Sequence, residues 1–505
     1  MTRDRNVVLT VAAVLLVLTA CPYLLAWRWP PSGTWFGGAF FYQDDFFQYL
    51  SFSEQAMRGR FLFANKFDIR PEQPYIVNLE WWLGGVFAKL LGGGPILGFH
   101  ALRPLALLAF VSGAARLLGR AGLRGRHLGW ALALFFSAAG LGALRLWQGA
   151  IGWHVPDLLM AMYPWHQCLT SAHTALASGL LLWALALHLE WRAGETRWPT
   201  WLPVVWVLGL VRPYDVLTFA IMGGALLALD LLDAQRRRGV WRGALALCGV
   251  APVLAYYFWM TRLRTSVRGW DGVQSGDLNP PALEFLWALA PALLLMALAW
   301  WRNAAAFRAA AGRDVRVAAG IWAGWLVLLV VFYSAPLMKT FVATLGVMVA
   351  LLAAIVTPER WLPIAALLLS PTSLFVLWRV LNPWPACFFT ADDGRAMELL
   401  AARGAPGDVV LAPTDLSLLI AATTPCHVVV GHRSMTPDYP QRLDEGNRFY
   451  HDPTTPPGWR RSYLDEIHAR FVFVAPGTSA WLRADPAWTP AQVLPRLEIW
   501  ERKRQ

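Results

Sequence analysis

Apolar runs long enough to cross a bilayer recur along this chain, and no other feature limits its fold as much. A spanning helix needs about 20 predominantly apolar residues. Such runs occupy about Val7–Trp27, Leu97–Leu118, His127–Trp147 and Gln167–Glu190. Others follow at about Tyr214–Leu232, Trp241–Met260, Pro281–Trp301, Val317–Ser334, Thr340–Val356 and Trp361–Leu381, with a shorter run at Trp201–Val211. Composition agrees, because 57% of the 505 residues are apolar and only 15% are charged. Soluble globular chains carry about 25% charged residues. Aromatic residues, at 13%, exclude a disordered chain. The expected fold class is a polytopic α-helical membrane protein with about eleven transmembrane helices.

The formal net charge of +12 does not point to nucleic acid. The basic residues are scattered through short loops, and no basic surface interleaved with aromatic residues is visible. Cytoplasmic loops are the ones enriched in Lys and Arg. Arg3 and Arg5, then Arg120, Arg124 and Arg126, then Arg192 and Arg197 therefore mark the inner side. So do Arg236–Arg238 with Arg242, the group from Arg302 to Arg316, and Arg360. The loop Gln148–Trp165 has no Lys or Arg and is expected outside. This alternation leaves Ile76–Leu91, ended by Gly92-Gly93-Gly94-Pro95, as an interfacial or re-entrant helix. The N-terminal run is expected to remain as an uncleaved first span, since bulky Tyr23, Trp27 and Trp29 stand where small residues would mark cleavage.

After residue 381 the composition changes. Val409–Leu411, Val428–Val430 and Phe471–Val474 are short β-rich runs, with helical stretches near Thr414–Ala422 and Tyr439–Phe449. The expected organisation is a membrane domain over 1–381, with its first outer loop at about 28–96, and a small outer α/β domain over 382–505. Cys21, Cys168 and Cys248 lie in apolar runs and are expected to be small buried residues. Cys387 and Cys426 can pair if their domain faces an oxidising compartment.

The first outer loop carries the strongest chemical signal. Phe41-Tyr42-Gln43-Asp44-Asp45-Phe46-Phe47-Gln48-Tyr49-Leu50 opens an amphipathic helix with Phe46, Phe47, Leu50 and Met57 on one face. The helix is expected along the membrane surface. Asp44-Asp45 reads either as its N-cap or as carboxylates held where lipid-borne and aqueous groups meet. An acid there can take a proton from an acceptor hydroxyl, or hold a divalent metal beside a phosphate leaving group. In the loop Gln148–Trp165 and just beyond, His154, Asp157 and His166 either complete a metal site with Asp45 or form a polar interfacial loop. Arg212 is either the partner of Asp215 or a phosphate ligand. Lys339 either snorkels or meets the same phosphate, and Arg262, Arg264 and Arg268 form a cationic outer loop suited to an anionic lipid substrate. His432, in Gly431-His432-Arg433, is either a structural turn or an acceptor-binding residue.

The order of these features resembles the GT-C glycosyltransferases that use polyprenyl-phosphate sugars, such as the lipid A aminoarabinose transferases and protein O-mannosyltransferases. One N-terminal span is followed by Asp45 and, four residues on, Tyr49; then come Arg58-Gly59, the segment Arg70-Pro71-Glu72-Gln73-Pro74, and the run Asn78–Phe87. The tail from Val409 to Pro413 and from Val430 to Tyr439 resembles that of poorly described bacterial GT-C-like proteins. The resemblance implies a bacterial inner-membrane glycosyltransferase with its active site and tail on the periplasmic side. It implies Asp45 as the catalytic acid/base residue with Asp44 adjacent, Tyr49 near the substrate, and a donor phosphate met by basic residues of later outer loops. A divalent cation (Mg or Mn), where used, would sit with Asp45 and Asp157. The acceptor is a glycan, a lipid or a protein. The competing classes are a transporter or flippase of lipid-linked sugars, and a non-catalytic membrane scaffold whose tail binds a partner. A transporter needs ionisable groups near the midplane and broken helices in two related halves, and the acids here lie in loops and at span ends.

Overall fold

Backbone amides and carbonyls have no water to bond within a bilayer, so the apolar runs satisfy them internally as helices. The computed structural model describes residues 2–70, 73–149, 155–159, 161–233, 236–263, 280–302, 304, 312–332 and 343–503. Among these residues, eight helices are long and apolar enough to span, from Asp4–Arg28, within α1 (Thr2–Arg28), to Arg313–Val331. A ninth is made if Leu345–Val356 and Glu359–Leu368, bent by 120°, count as one. The protein is a multi-pass membrane protein. Among the described residues, two of the expected runs form helices too short to count, for a physical reason. Trp201–Val211 and Pro371–Leu381 form helices of 11 residues each, about 17 Å long. The expected last span breaks after Leu368, where Pro371 opens a new helix instead of continuing the old one.

The chain divides into two compact units. One joins Met1–Pro22, Arg103–Phe258 and Gln274–Asn382. Its central pair is the helix Arg103–Arg120 against Ala172–Arg192. At their crossing a Cβ on Gly179 would lie 2.6 Å from the Phe110 backbone nitrogen. Small residues permit this close approach of helices in a membrane. Arg116 grips Glu190 with two hydrogen bonds of 2.7 and 2.6 Å, and Arg192 grips Asp230 likewise. Cys21 and Cys248 are exposed rather than buried as expected.

The other unit joins Tyr23–Leu102, Trp259–Val273 and Pro383–Gln505. Its five-stranded sheet has the order β4-β3-β5-β7-β6: β3 (Val409–Leu411) is parallel to β4 (His427–Val428) and to β5 (Ala469–Val474). β7 (Glu498–Arg502) runs antiparallel to β5 and to β6 (Trp488–Val493). β3 is buried throughout and β5 nearly so, as parallel strands covered on both faces must be. Val409, Leu411, Val472, Val474 and Trp500 pack there with Phe449, Tyr463 and Leu464. A second, two-stranded sheet pairs β1 (Thr34–Phe36) antiparallel with β2 (Phe388–Thr390). Cys387 and Cys426 are both buried, and no disulfide joins them.

Helix α2 (Gln43–Met57) crosses the middle of this unit. It is not the surface helix that its pattern suggests. Ten residues from Phe46 to Ala56 are buried, including polar Gln48, Ser51, Ser53, Glu54 and Gln55. On one side lies α3 (Leu79–Leu90), where Gly85 lets the backbones meet: a Cβ there would stand 2.4 Å from the Ser53 carbonyl oxygen. On the other lies the helix Thr414–Thr423. The polar residues are satisfied. Ser53 donates to the Trp81 carbonyl, and the Gln55 amide exchanges hydrogen bonds with the Ala64 backbone. Glu54 takes both Arg58 and the ammonium of Lys66. Lys66, 3% exposed at its side chain, donates also to the carbonyls of Ala421 (3.0 Å) and Thr424 (2.7 Å).

Removing one partner of a buried ion pair leaves the other charge uncompensated, at a cost of about 3–5 kcal/mol. Lys66→Met is therefore expected to lower the thermal unfolding midpoint of the detergent-solubilised protein strongly. Glu54→Gln combined with Lys66→Met should recover part of that loss. A single variant as stable as the parent would contradict this account.

Candidate active site

Tyr42 caps α2 in the left-handed region (φ 51°) and gives no side-chain cap. Asp44 and Asp45 are accordingly not the N-cap. They lie in the first helical turn, with their carboxylates on the favourable end of the helix dipole. Both are exposed, whereas the rest of the helix from Phe46 is packed away. Phe46 meets Phe99, and Phe47 meets Phe389 on β2. These contacts fix the helix from which the acids project.

His432 comes from the far end of the sequence and reaches Asp45, with Nε2 3.1 Å from Oδ1. Its ring is 7% exposed, against 53% for the Asp45 side chain. The other ring nitrogen, Nδ1, accepts the backbone N–H of Ser434 at 3.2 Å. A neutral ring holding an acceptor at Nδ1 carries its proton on Nε2. That proton is donated to Asp45. The loop is built to hold this ring. The His432 carbonyl accepts from the Met435 and Thr436 amides, and Thr436 Oγ1 accepts from the Gly431 amide. Asn65 Nδ2 donates to the Met435 carbonyl at 2.7 Å. Gly431 is glycine for steric reasons, since a Cβ there would lie 2.7 Å from the Phe67 ring.

Asp44, Arg433 and Tyr439 complete the cluster. Although Asp44 keeps accessible surface, desolvation by the surrounding protein raises its carboxyl above the usual range. His432 pulls it down and Asp45 pushes it up. Desolvation also raises the Tyr439 phenol, with Asp44 adding to the rise and Arg433 opposing it. Arg433 is exposed beside the buried His432. The sequence reading named His432 and passed over both neighbours, one adjacent and the other seven residues on. Tyr49, one turn beyond Asp45, stacks on Trp81 with ring centroids 5.1 Å apart.

Of the remaining candidates, Asp157, His166 and Arg212 belong to the other compact unit and Arg262 to this one. Asp157 is buried and accepts the Gly142 amide at 3.0 Å, at the start of the helix Gly142–Trp147. Its own carbonyl lies 2.9 Å from His166 Nδ1. Arg212 is buried with Nη1 3.5 Å from Asp215 Oδ2, one of the two partners considered for it. Arg262 is exposed in the last turn of Ala251–Leu263. His154, Arg264, Arg268 and Lys339 lie outside the described residues. Among the described residues, no three His, Cys, Asp or Glu side chains gather closely enough to hold a metal ion.

No family model matches the sequence, and no curated protein matches it. Solved structures do match in fold. The archaeal oligosaccharyltransferase AglB of Archaeoglobus fulgidus, in complex with an inhibitory peptide and a dolichol-phosphate, superposes with a TM-score of 0.53 at 10% identity. The match covers 94% of this chain and 69% of that one. The same oligosaccharyltransferase has been solved with Zn and sulfate. ArnT from Cupriavidus metallidurans, bound to undecaprenyl phosphate, gives a TM-score of 0.53 at 14% identity, covering 98% of this chain and 97% of ArnT. The mycobacterial arabinofuranosyltransferase AftD gives 0.52 at 15% identity, covering 99% of this chain and 40% of AftD. These neighbours are GT-C glycosyltransferases, and the chain has the GT-C fold.

Burial pushes the Asp157 carboxyl up to about 6, with the Gly142 amide opposing the rise. The folded value lies above the ordinary 3.8, so the folded state binds the proton more tightly. This contribution to stability is complete below about pH 4 and is lost as pH rises towards 6, a change of about 3 kcal/mol. Asp157→Asn keeps an acceptor for Gly142 and removes the titration. Thermal unfolding between pH 4 and 7 should show a weaker loss of stability with rising pH in this variant; identical slopes would contradict the assignment.

Proposed function

We propose that this chain is a membrane glycosyltransferase that moves a sugar from a polyprenyl-phosphate donor to an acceptor, with Asp45 as the catalytic carboxylate. The observation that carries this reading is the Asp45–His432 pair: a half-exposed acid whose one oxygen is held by a buried imidazole. The GT-C fold supports the class of reaction. AglB and ArnT, as solved, hold a dolichol-phosphate and undecaprenyl phosphate, which favours a polyprenyl carrier here.

The chemistry is a displacement at the anomeric carbon. The acceptor hydroxyl oxygen forms the new bond to that carbon, the bond from carbon to phosphate oxygen breaks, and the configuration inverts. The polyprenyl phosphate leaves with the electron pair, and the acceptor proton passes to Asp45. The His432 Nε2–H holds Oδ1 of that carboxylate. His432 also stabilises the ionised carboxylate before the reaction and orients it. Arg433 and Tyr439 flank Asp44 and suit hydroxyl groups of the acceptor. The exposed Arg262 is the described member of the basic loop assigned to the leaving phosphate. Asp44 and Asp45 are hard oxygen donors that would hold Mg or Mn, which when bound would draw negative charge from the phosphate. The active site is assigned to the periplasmic face of a bacterial inner membrane.

Asp45→Asn is expected to lower transfer about 10²–10⁴-fold, and His432→Ala less. Transfer is measured in proteoliposomes carrying lipids from the native membrane, followed by mass spectrometry of the polyprenyl phosphates. The inactive variant should also co-purify with a polyprenyl phosphate carrying one sugar, whose mass names the sugar. Full transfer by Asp45→Asn would overturn the reading.

A further inference from the structure

A second polar site lies at the opposite end of α2. Asp45 and Arg58 are 13 positions apart on and just past this helix, about 20 Å along its axis. Around Arg58 a cavity of about 570 Å³ opens, bounded by residues between 54 and 70, by Gln73 and Pro74, and by Pro406, Gly407, Pro425 and His427. That volume falls in the range of small-molecule sites, roughly 300–1,000 Å³. Its lining is basic: among the described residues, Arg58, Arg60, Lys66 and Arg70 face one carboxylate, Glu54. Glu54 is committed to Lys66 and to Arg58 Nε, and Arg70 is committed to Asp68. Arg60 is exposed and has no carboxylate partner among the described residues.

We propose that this cavity binds a phosphate group, with Arg60 and the outer nitrogens of Arg58 as its ligands. Arginine presents a planar fork of donors that matches a phosphate in two hydrogen bonds. The walls suit a ligand larger than the phosphate alone. Pro74, Pro406 and Pro425 make them stiff, and Gln73 offers both a donor and an acceptor. His427 adds a second acceptor. Its Nδ1 lies 2.8 Å from the Asp68 carbonyl and therefore donates, which leaves Nε2 as the acceptor of the neutral ring. Burial lowers the His427 pKa and so favours that neutral form. The inference is independent of the catalytic role given to Asp45.

The test is binding of inorganic phosphate and of a water-soluble short-chain phosphatidic acid to the full-length detergent-solubilised protein, by titration calorimetry at constant ionic strength in chloride. Saturable binding is expected, weakened about tenfold or more in Arg60→Ala, with Arg60→Lys between the two. Arg60 is exposed, and matching thermal unfolding midpoints will show that the variants are folded. Binding of inorganic phosphate alone supports a soluble phosphorylated ligand, and binding of both probes supports a lipid headgroup. Absence of saturable binding, or equal affinity in Arg60→Ala, would overturn the proposal.

Discussion

A lysine ammonium withdrawn from water must find partners for its three protons, and Lys66 finds all of them inside the protein. Glu54 on α2 supplies one, and the carbonyls of Ala421 and Thr424 supply the others. Desolvation of one such ion costs several kcal/mol, so geometries that leave a proton unmet are excluded. The three partners come from two stretches of chain separated by more than 350 positions. Lys66 also offers its own carbonyl to the Val428 amide, which lays this segment along β4. The next residue, Phe67, sets the wall against which Gly431 turns. His432 follows immediately. The position of the imidazole beside Asp45 thus traces back, bond by bond, to one buried cation.

Two aspartates show how environment separates roles within one residue type. Asp157 is enclosed, and a backbone amide at a helix start fills one of its oxygens; protonation suits it. Asp45 keeps half of its side chain in contact with solvent and receives a proton donor from a ring whose other nitrogen is already fixed. The first arrangement holds a turn in place, while the second keeps an exposed carboxylate in a fixed orientation against an imidazole. Sequence alone presents both as acids in outer loops.

Hydrophobic periodicity made much of this fold readable. Spans announce themselves by length, and the inner strands of a parallel sheet announce themselves as unbroken apolar runs such as Val409–Leu411 and Phe471–Val474. Edge strands lack that signal. Trp488–Val493 carries Pro490 and an exposed face, a pattern confined to edges, and it was missed with its partner Glu498–Arg502. α2 misled for the opposite reason: its buried polar residues pair with one another and with backbone, so polarity did not mark a solvent face. Asp45 was legible from its neighbours in sequence. Its contact with His432 spans 387 positions and rests on loop hydrogen bonds that no local pattern encodes.

The antiparallel pairing of Thr34–Phe36 with Phe388–Thr390 also bears on the order of events during synthesis. A ribosome delivers the first strand long before the second, with every membrane helix between them still to be inserted. Until then Trp35 lacks the Thr390 carbonyl that its indole N–H meets in the finished protein. Contacts of such separation carry a high loop-closure cost and form late. The segment that leads into Asp44 and Asp45 is therefore translated well before the strand that completes its sheet. A chain stopped just before Phe388 would carry the membrane helices that lie between the two strands, with the β1–β2 pair still unmade.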